Sequence, residues 1–497
     1  MNNRLIVLAM GVFLTISMPA MAKSIKIHGY VTNVVSLTVF EIEDYKITKD
    51  LTLVLDFEKG DTDEPIEFRP EDIRVGTELE ISGEYNETTG ELSAKSVKVF
   101  LEEHKKIKRT ALIERTPQID KSEDGWVGNF FADGQRIRVE TSTKVLFKPN
   151  QSERKAIEER EKAERKSLGN QNKQRAEELP EEERYTRPLE SLDQIGPNTF
   201  MSYEGYRQPD ASITAVRVEF MRNETEKGEA DLWKKLTPKT KEPDYLTLKP
   251  GDLNIPQVGK FKLVPSREAQ DYVRQLGEKL IPSNQKTMQN GDPNKIPFQF
   301  YLVDSKDPNA FATPNGVVVV YSPMFDILQN EAQFAAVLGH EIAHSVQEHT
   351  YFQQQYHKKK LFAISLGAAF LGGMGYGNIG DIINTIVAGI RNGYSRSLEN
   401  QADRVGLEYM VDAGYDPREA PRVWKAMTQK LGDRQTDFFW SRHDNNTTRR
   451  SYLMVELKNN YSELDFDRLE RNEEAFQDVA QVVREARQKK GKVTVKY

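Results

Sequence analysis

No cysteine occurs among the 497 residues. That excludes disulfides, a lipid-anchoring cysteine, a thiol nucleophile and any thiolate metal site. A bound metal would therefore have to sit on His, Asp and Glu. Histidine is itself scarce, with 7 in the chain, so two of them at short spacing carry information. An excess of positive charge is also missing: 70 Lys and Arg face 76 Asp and Glu, for a net charge of −6. This leaves no basic footprint for nucleic acid, and no nucleic-acid partner is expected. Nothing in the composition fixes an oligomeric state.

Long apolar runs are few, and the first opens the chain. Met1 to Arg4 form a short basic stretch and Leu5 to Met18 an apolar run. Pro19 then precedes Ala20-Met21-Ala22, which fits a small-residue cleavage site. The run is too short for a comfortable membrane anchor. A signal peptide over 1–22, cut after Ala22, is expected, and the bacterial periplasm suits an exported protein without cysteine. The other reading, an uncleaved anchor, would leave Met1 in the exported protein.

At this length several domains are expected. Residues 23–105 read as short β-strands, such as Ile25–Val31 and Leu51–Leu55, with Gly- and Asp-rich turns between them. Residues 106–220 look like a second copy: Gly196 through Val218 mirrors Gly76 through Val99. The copy is interrupted at 151–187 by a Glu-, Lys-, Arg- and Gln-rich stretch, read as a solvated helical insertion. Both modules are similar in pattern to small oligonucleotide/oligosaccharide-binding (OB-like) barrels, and their ligand is open. Residues 221–260 are polar and suit a linker. Helical periodicity then runs over 261–460, followed by a C-terminal helix and tail over 461–497.

The chemistry concentrates in His340-Glu341-Ile342-Ala343-His344, inside the helical pattern Glu331 to Thr350. Two His at i and i+4 differ by about 40° in azimuth, so both imidazoles can reach one ion. Glu341, beside the first, is placed to act as general base toward water. The bland reading is two surface histidines on a helix. Zinc needs a third protein ligand. His349 lies roughly 180° around a continuous helix from His340 and is expected to point away; it and His357 read as structural or exposed. Glu399 and Asp403 are i, i+4 neighbours on a later helix. Glu399 can bind zinc, and Asp403 can accept the second N–H of a ligating His. Their alternative is an acidic first turn favoured by the helix dipole.

The His340–His344 helix, the Gly-rich apolar interval and "YSRSLENQADRVGLEYMVDAGYDP" together resemble the HtpX, Oma and CAAX prenyl protease family of zinc metallopeptidases. The likeness covers roughly residues 262–455, and its soluble periplasmic, BepA-like branch is the most similar in style, although no helical-repeat region is evident here. The resemblance implies one Zn²⁺ per chain on His340, His344 and Glu399. It also implies a mainly α-helical zincin-type domain with a small edge sheet, following the duplicated all-β modules. Asn309, Ala310, Phe311 and Ala312 resemble the segment before the active-site edge strand. A substrate peptide would then lie along Val317–Val320 by strand addition, unless those valines form an ordinary buried strand. His443 corresponds to a His near the zinc that assists catalysis or holds a latent site. Asp444 stands where the family has Pro, which leaves that loop's geometry open. Arg449 follows as electrostatic or structural support. Residues 361–390 are apolar and Gly-broken, too short for two spanning helices. They would cover the active site, touch a membrane surface or pack in the core. The implied activity is endoproteolysis of unfolded or misassembled exported proteins. The alternative is a latent or non-catalytic, chaperone-like envelope assembly factor with a zinc site.

Overall fold

The computed structural model describes residues 23–50, 55–57, 69–100, 106–168, 186–196, 198–208, 210, 212–223, 227–353, 384, 386–389, 393–431 and 446–488. The expected leader 1–22, His357, His443 and most of the interval 361–390 lie outside the described residues. The chain divides into two compact units, residues 1–58 with 67–100 and residues 59–66 with 101–497. Among the described residues no helix is long and apolar enough to cross a membrane.

The first unit is a seven-stranded sheet of β1 (Lys23–Tyr30), β2 (Asn33–Ser36), β3 (Val39–Ile42), β4 (Tyr45–Thr48), β5 (Leu55–Phe57), β6 (Glu78–Asn86) and β7 (Glu91–Phe100). Alternation builds it: Leu79 and Ile81 on β6 and Val97 and Val99 on β7 are buried, while the residues between them face outward or lie half-buried. Strand β6 pairs antiparallel with β1 and β7, and β4 and β5 lie parallel to β7. The register shifts at Ser82/Gly83, where a Cβ on Gly83 would stand 2.1 Å from the Ser93 carbonyl oxygen.

The second unit begins with an eight-stranded sheet: β8 (Ile107–Ile113), β9 (Ile119–Ser122), β10 (Gly125–Ala132), β11 (Gln135–Val139), β12 (Lys144–Phe147), β13 (Arg187–Pro188), β14 (Thr199–Arg207) and β15 (Ile213–Arg222). The pairing scheme is that of the first sheet. Strand β14 is antiparallel to β8 and β15, β11 and β12 are parallel to β15, and the register again shifts at a glycine, Glu204/Gly205. The helix α1 (Gln151–Leu168) leaves the sheet between β12 and β13.

The stretch expected as a linker folds instead. It contains α2 (Lys227–Leu236), β16 (Lys239–Lys241), β17 (Gly251–Ile255) and the start of β18 (Gly259–Leu263). Its Lys and Pro content hid alternating residues, of which Leu253 and Ile255 are fully buried. These strands join β19 (Gln299–Asp304), β20 (Ala310–Ala312) and β21 (Val317–Tyr321) in the order β16-β17-β18-β19-β21-β20.

Helices α3 (Arg267–Leu280), α4 (Ser283–Thr287), α5 (Met324–Ile327), α6 (Glu331–Val346), α7 (Arg396–Asp412), α8 (Glu419–Leu431), α9 (Asn446–Asn460) and α10 (Glu473–Gln488) complete the unit. Asn330 caps α6 by accepting from the Gln333 N–H. Phe476, Val479, Ala480 and Val483 give α10 a buried stripe at helical spacing, worth roughly 1.5–3 kcal/mol for each large side chain. Phe476 stacks on Phe325, ring centroids 5.3 Å apart, and closes the core.

Candidate metal centre

Helices α6 and α7 meet backbone to backbone. A Cβ on Gly339 would stand 3.0 Å from the Gly406 carbonyl oxygen, and one on Gly406 would stand 2.9 Å from the His340 nitrogen. A Cβ at either position would press on the facing backbone and force the helices to shift, so glycine at both favours an approach that carries Glu399 and Asp403 to the face of α6 that bears the histidines.

There His340, His344 and Glu399 converge, with ligand atoms within 4.8 Å of one another and all three side chains buried. His340 Nε2 lies 3.0 Å from His344 Nε2 and 3.3 Å from Glu399 Oε2, which is 3.9 Å from His344 Nε2. A tetrahedron with metal–ligand bonds of about 2.0–2.1 Å has edges of about 3.3 Å, so the three atoms already bracket that spacing. The Tyr394 N–H donates to Glu399 Oε1 at 2.9 Å. Glu399 Oε2 is held only by long contacts, the nearest to His340 Nε2 at 3.3 Å and to Arg449 Nη1 at 3.4 Å, and Glu341 Oε1 is buried without a hydrogen-bond partner among the described residues. Buried oxygens so poorly satisfied are costly, and a cation among them, with water beside Glu341, would satisfy both.

The surroundings set the protonation states. Asp403 Oδ1 is 2.9 Å from His340 Nδ1, and Arg449 donates to both Asp403 oxygens, at 2.6 and 2.9 Å. The Arg449 guanidinium lies over the Trp424 ring, 3.8 Å from its centroid. Burial works against the charge of His340, but hydrogen bonds to Asp403 and Glu399 prevail and raise it to about 9. Burial opposes the Glu399 carboxylate as well, yet its hydrogen bond to His340 and the charges of the histidines and Arg449 hold it well below the usual range. His344 is driven far down by burial and by His340. A cation taken up there near neutral pH would therefore displace the His340 proton.

Two positions differ from expectation. His349 does not point away: its Nδ1 is 2.7 Å from His344 Nδ1 and its Nε2 is 2.9 Å from Gln401 Oε1. The azimuth argument assumed a continuous helix, but α6 ends at Val346 and Glu348 adopts φ 53°, which turns His349 back. Burial lowers its pKa to about 4 despite the Gln401 bond, so it is neutral. Val317–Val320 is not an edge, because β21 is parallel to β19 on one side and antiparallel to β20 on the other. Among the described residues the edge is β20 itself, Ala310-Phe311-Ala312, whose Ala312 backbone hydrogen-bonds Glu341. Asn309 precedes it and accepts the Tyr321 N–H through its carbonyl at 2.9 Å.

Residues that sequence reasoning missed are Tyr394 and Gln401. The Tyr394 ring stacks on His344 with centroids 4.5 Å apart. Its place just before the Ser395 cap of α7 was the available signal. Gln401 offered none, since its partners, His349 and Thr110, lie 52 and 291 positions away in the chain.

Residues 267–457 match the model of Peptidase family M48. The chain is 30% identical over 178 residues to the beta-barrel assembly-enhancing protease of Escherichia coli (strain K12), covering 34% of this chain and 35% of that protein. Its counterpart in Yersinia pestis is 31% identical over 168 residues, 33% of this chain and 32% of that one. The mitochondrial metalloendopeptidase OMA1 of Arabidopsis thaliana is 32% identical over 159 residues, 32% of this chain and 31% of that one. The chain thus spans about a third of the length of these relatives. Residues 267–457, with their His-Glu-x-x-His helix and converging glutamate, are a peptidase family M48 domain.

Proposed function

We propose that this chain is a zinc-dependent endopeptidase of the bacterial cell envelope, acting in the periplasm on unfolded or misassembled exported proteins. The observation that carries it is the convergence of His340, His344 and Glu399 beside the unpartnered Glu341 oxygen and the edge strand β20. The name of the bacterial relatives, a protease that enhances β-barrel assembly, supports the choice of substrate.

One zinc per chain would be held by His340, His344 and Glu399, where it supplies Lewis acidity toward the scissile carbonyl and toward water. Asp403 orients His340 and is itself clamped by Arg449. An extended peptide adds to the outer side of β20, along Asn309–Ala312, so that its backbone is read in preference to its side chains. The opposite edge, β16, carries exposed Lys239 and Lys241, a common guard against strand addition. Glu341 takes the proton of the attacking water and delivers it to the leaving amine. His443 is assigned to the oxyanion, and residues 361–390 to contact with a membrane surface. The shared pairing scheme of the two N-terminal sheets supports reading them as copies of one OB-like module.

The test is cleavage of a permanently unfolded protein. Activity should disappear with a zinc chelator and return with one equivalent of zinc per chain. Protein that holds one zinc and cleaves no unfolded chain would overturn the proposal in favour of a chaperone-like assembly factor.

A further inference from the structure

Among the described residues the outer edge of β8 is unpaired by strands, since there β8 bonds only to β14. Two buried glutamines of the peptidase domain complete it. Gln347 accepts the Leu112 N–H at 2.8 Å and donates to the Leu112 carbonyl at 2.9 Å. Gln401 donates through Nε2 to the Thr110 carbonyl at 3.2 Å. Gln347 immediately precedes the left-handed Glu348 that turns His349 back, so its bonds to β8 fasten that turn.

The second glutamine has a chemical consequence. A backbone carbonyl can only accept, so Gln401 must present its NH₂ to Thr110 and its oxygen to His349. His349 Nε2, 2.9 Å from that oxygen, must then carry a proton. His349 is fully buried, and its polar partners among the described residues are the neutral amide of Gln401 and the imidazole of His344, with no carboxylate at either nitrogen. It is therefore left with a lone pair on Nδ1, 2.7 Å from His344 Nδ1. His344 must donate there, which leaves its Nε2 unprotonated on the side of His340 and Glu399. We infer that the eight-stranded sheet fixes the tautomer of His344, by a relay from the Thr110 carbonyl through Gln401 and His349, and that this sheet is a functional part of the metal centre.

The inference rests on the reading of His344 as a ligand. It makes Gln401 and His349 positioning residues that act through His344. The two histidines are oriented by different means: His340 by a carboxylate within its own domain, His344 by a neutral chain that starts in another. A change that lifts β8 away from α7 would free Gln401 to rotate. His344 could then adopt the Nε2–H form, which has no lone pair for a metal.

Two readouts test this. Nitrogen-15 NMR of the metal-free wild-type protein, selectively labelled at histidine, should show His344 with Nε2 unprotonated and His349 with Nε2 protonated. The opposite tautomer of His344 overturns the inference whether or not zinc binds. Zinc affinity by competition with a chelating dye is the second. Gln401→Met keeps the length and removes both hydrogen bonds, and should weaken zinc roughly 10–100-fold with His344 in mixed tautomers. Gln401→Glu keeps an acceptor for His349 but offers no donor to the Thr110 carbonyl and favours a second proton on His349, so it should also weaken zinc, an effect that loss of the His349 bond alone would not explain. Zinc binding by Gln401→Met within twofold of wild type overturns the relay. Wild-type protein that binds no zinc while showing the predicted tautomers overturns the metal reading instead.

Discussion

Glu341→Gln should retain one zinc per chain and lose peptide-bond cleavage by about two to four orders of magnitude, the usual contribution of a positioned general base. The substitution is close to isosteric, and its carbonyl oxygen can still accept from the Ala312 backbone, so the fold around β20 is preserved. None of the three converging ligand atoms belongs to Glu341. Burial is the main force that raises the Glu341 carboxyl to about 7, helped by the Glu399 charge and opposed by His340 and Arg449. A base must be ionised to act, so kcat/KM should rise with pH along an acid limb. The chain's own groups place that limb near 7, and a bound dication, which favours the carboxylate, places it lower. In Glu341→Gln the residual rate should lack the limb. Stopped assays with an unfolded substrate between pH 5 and 8, with zinc quantified on the same samples, read both effects. Undiminished cleavage, or an acid limb that survives the substitution, would remove Glu341 from the role of base.

The elements legible in the sequence were those specified by local spacing. The histidines at i and i+4 on α6, and Glu399 with Asp403 at i and i+4 on α7, need only the helical period. Alternation marked some strands of both N-terminal sheets, β1, β11 and the pairs β6–β7 and β14–β15 among them, while most of the expected strand Leu51–Leu55 lies outside the described residues. The unreadable parts depended on a break in a period or on distant partners. His349 was misplaced because Glu348 leaves the helix in a left-handed conformation that no residue type there announces. The four valines of β21 looked like an edge until β20 covered one side of them. Gln347 and Gln401 find backbone partners 235 and 291 positions away in the chain. Sequence pattern carries no signal for such contacts, although they fix the groups behind His344.

The ion pair joining β10–β11 to α7 carries the other large expectation. Asp133 and Arg404 have no side-chain exposure, with Arg404 Nη2 2.7 Å from Asp133 Oδ1. Arg404 also donates to the Asp133 carbonyl at 2.8 Å and to the Tyr452 hydroxyl at 2.5 Å. Gly134, at φ +63°, permits the approach, since a Cβ there would stand 2.4 Å from the Arg404 Cβ. Burial opposes the Asp133 charge, but Arg404 and Arg109 outweigh it and hold its pKa below the ordinary value. The pair's contribution is therefore present above the unfolded-state carboxylate pKa and is lost as pH falls through the depressed folded value. Arg404→Met leaves Asp133 buried with Arg109, 3.4 Å away, as its remaining cation, while the Tyr203 hydroxyl still donates to it at 2.7 Å. It should cost about 3–5 kcal/mol, the usual penalty for stranding one member of a buried pair. Adding Asp133→Asn removes the stranded charge, so the double variant should be more stable than Arg404→Met alone. Urea unfolding of the three proteins measures this coupling. Arg404 follows Asp403 on α7, so zinc affinity should fall in Arg404→Met and partly recover in the double variant. A cost below about 1 kcal/mol, or a double variant no more stable than Arg404→Met, would mean that the sheet is held to the peptidase domain by other contacts.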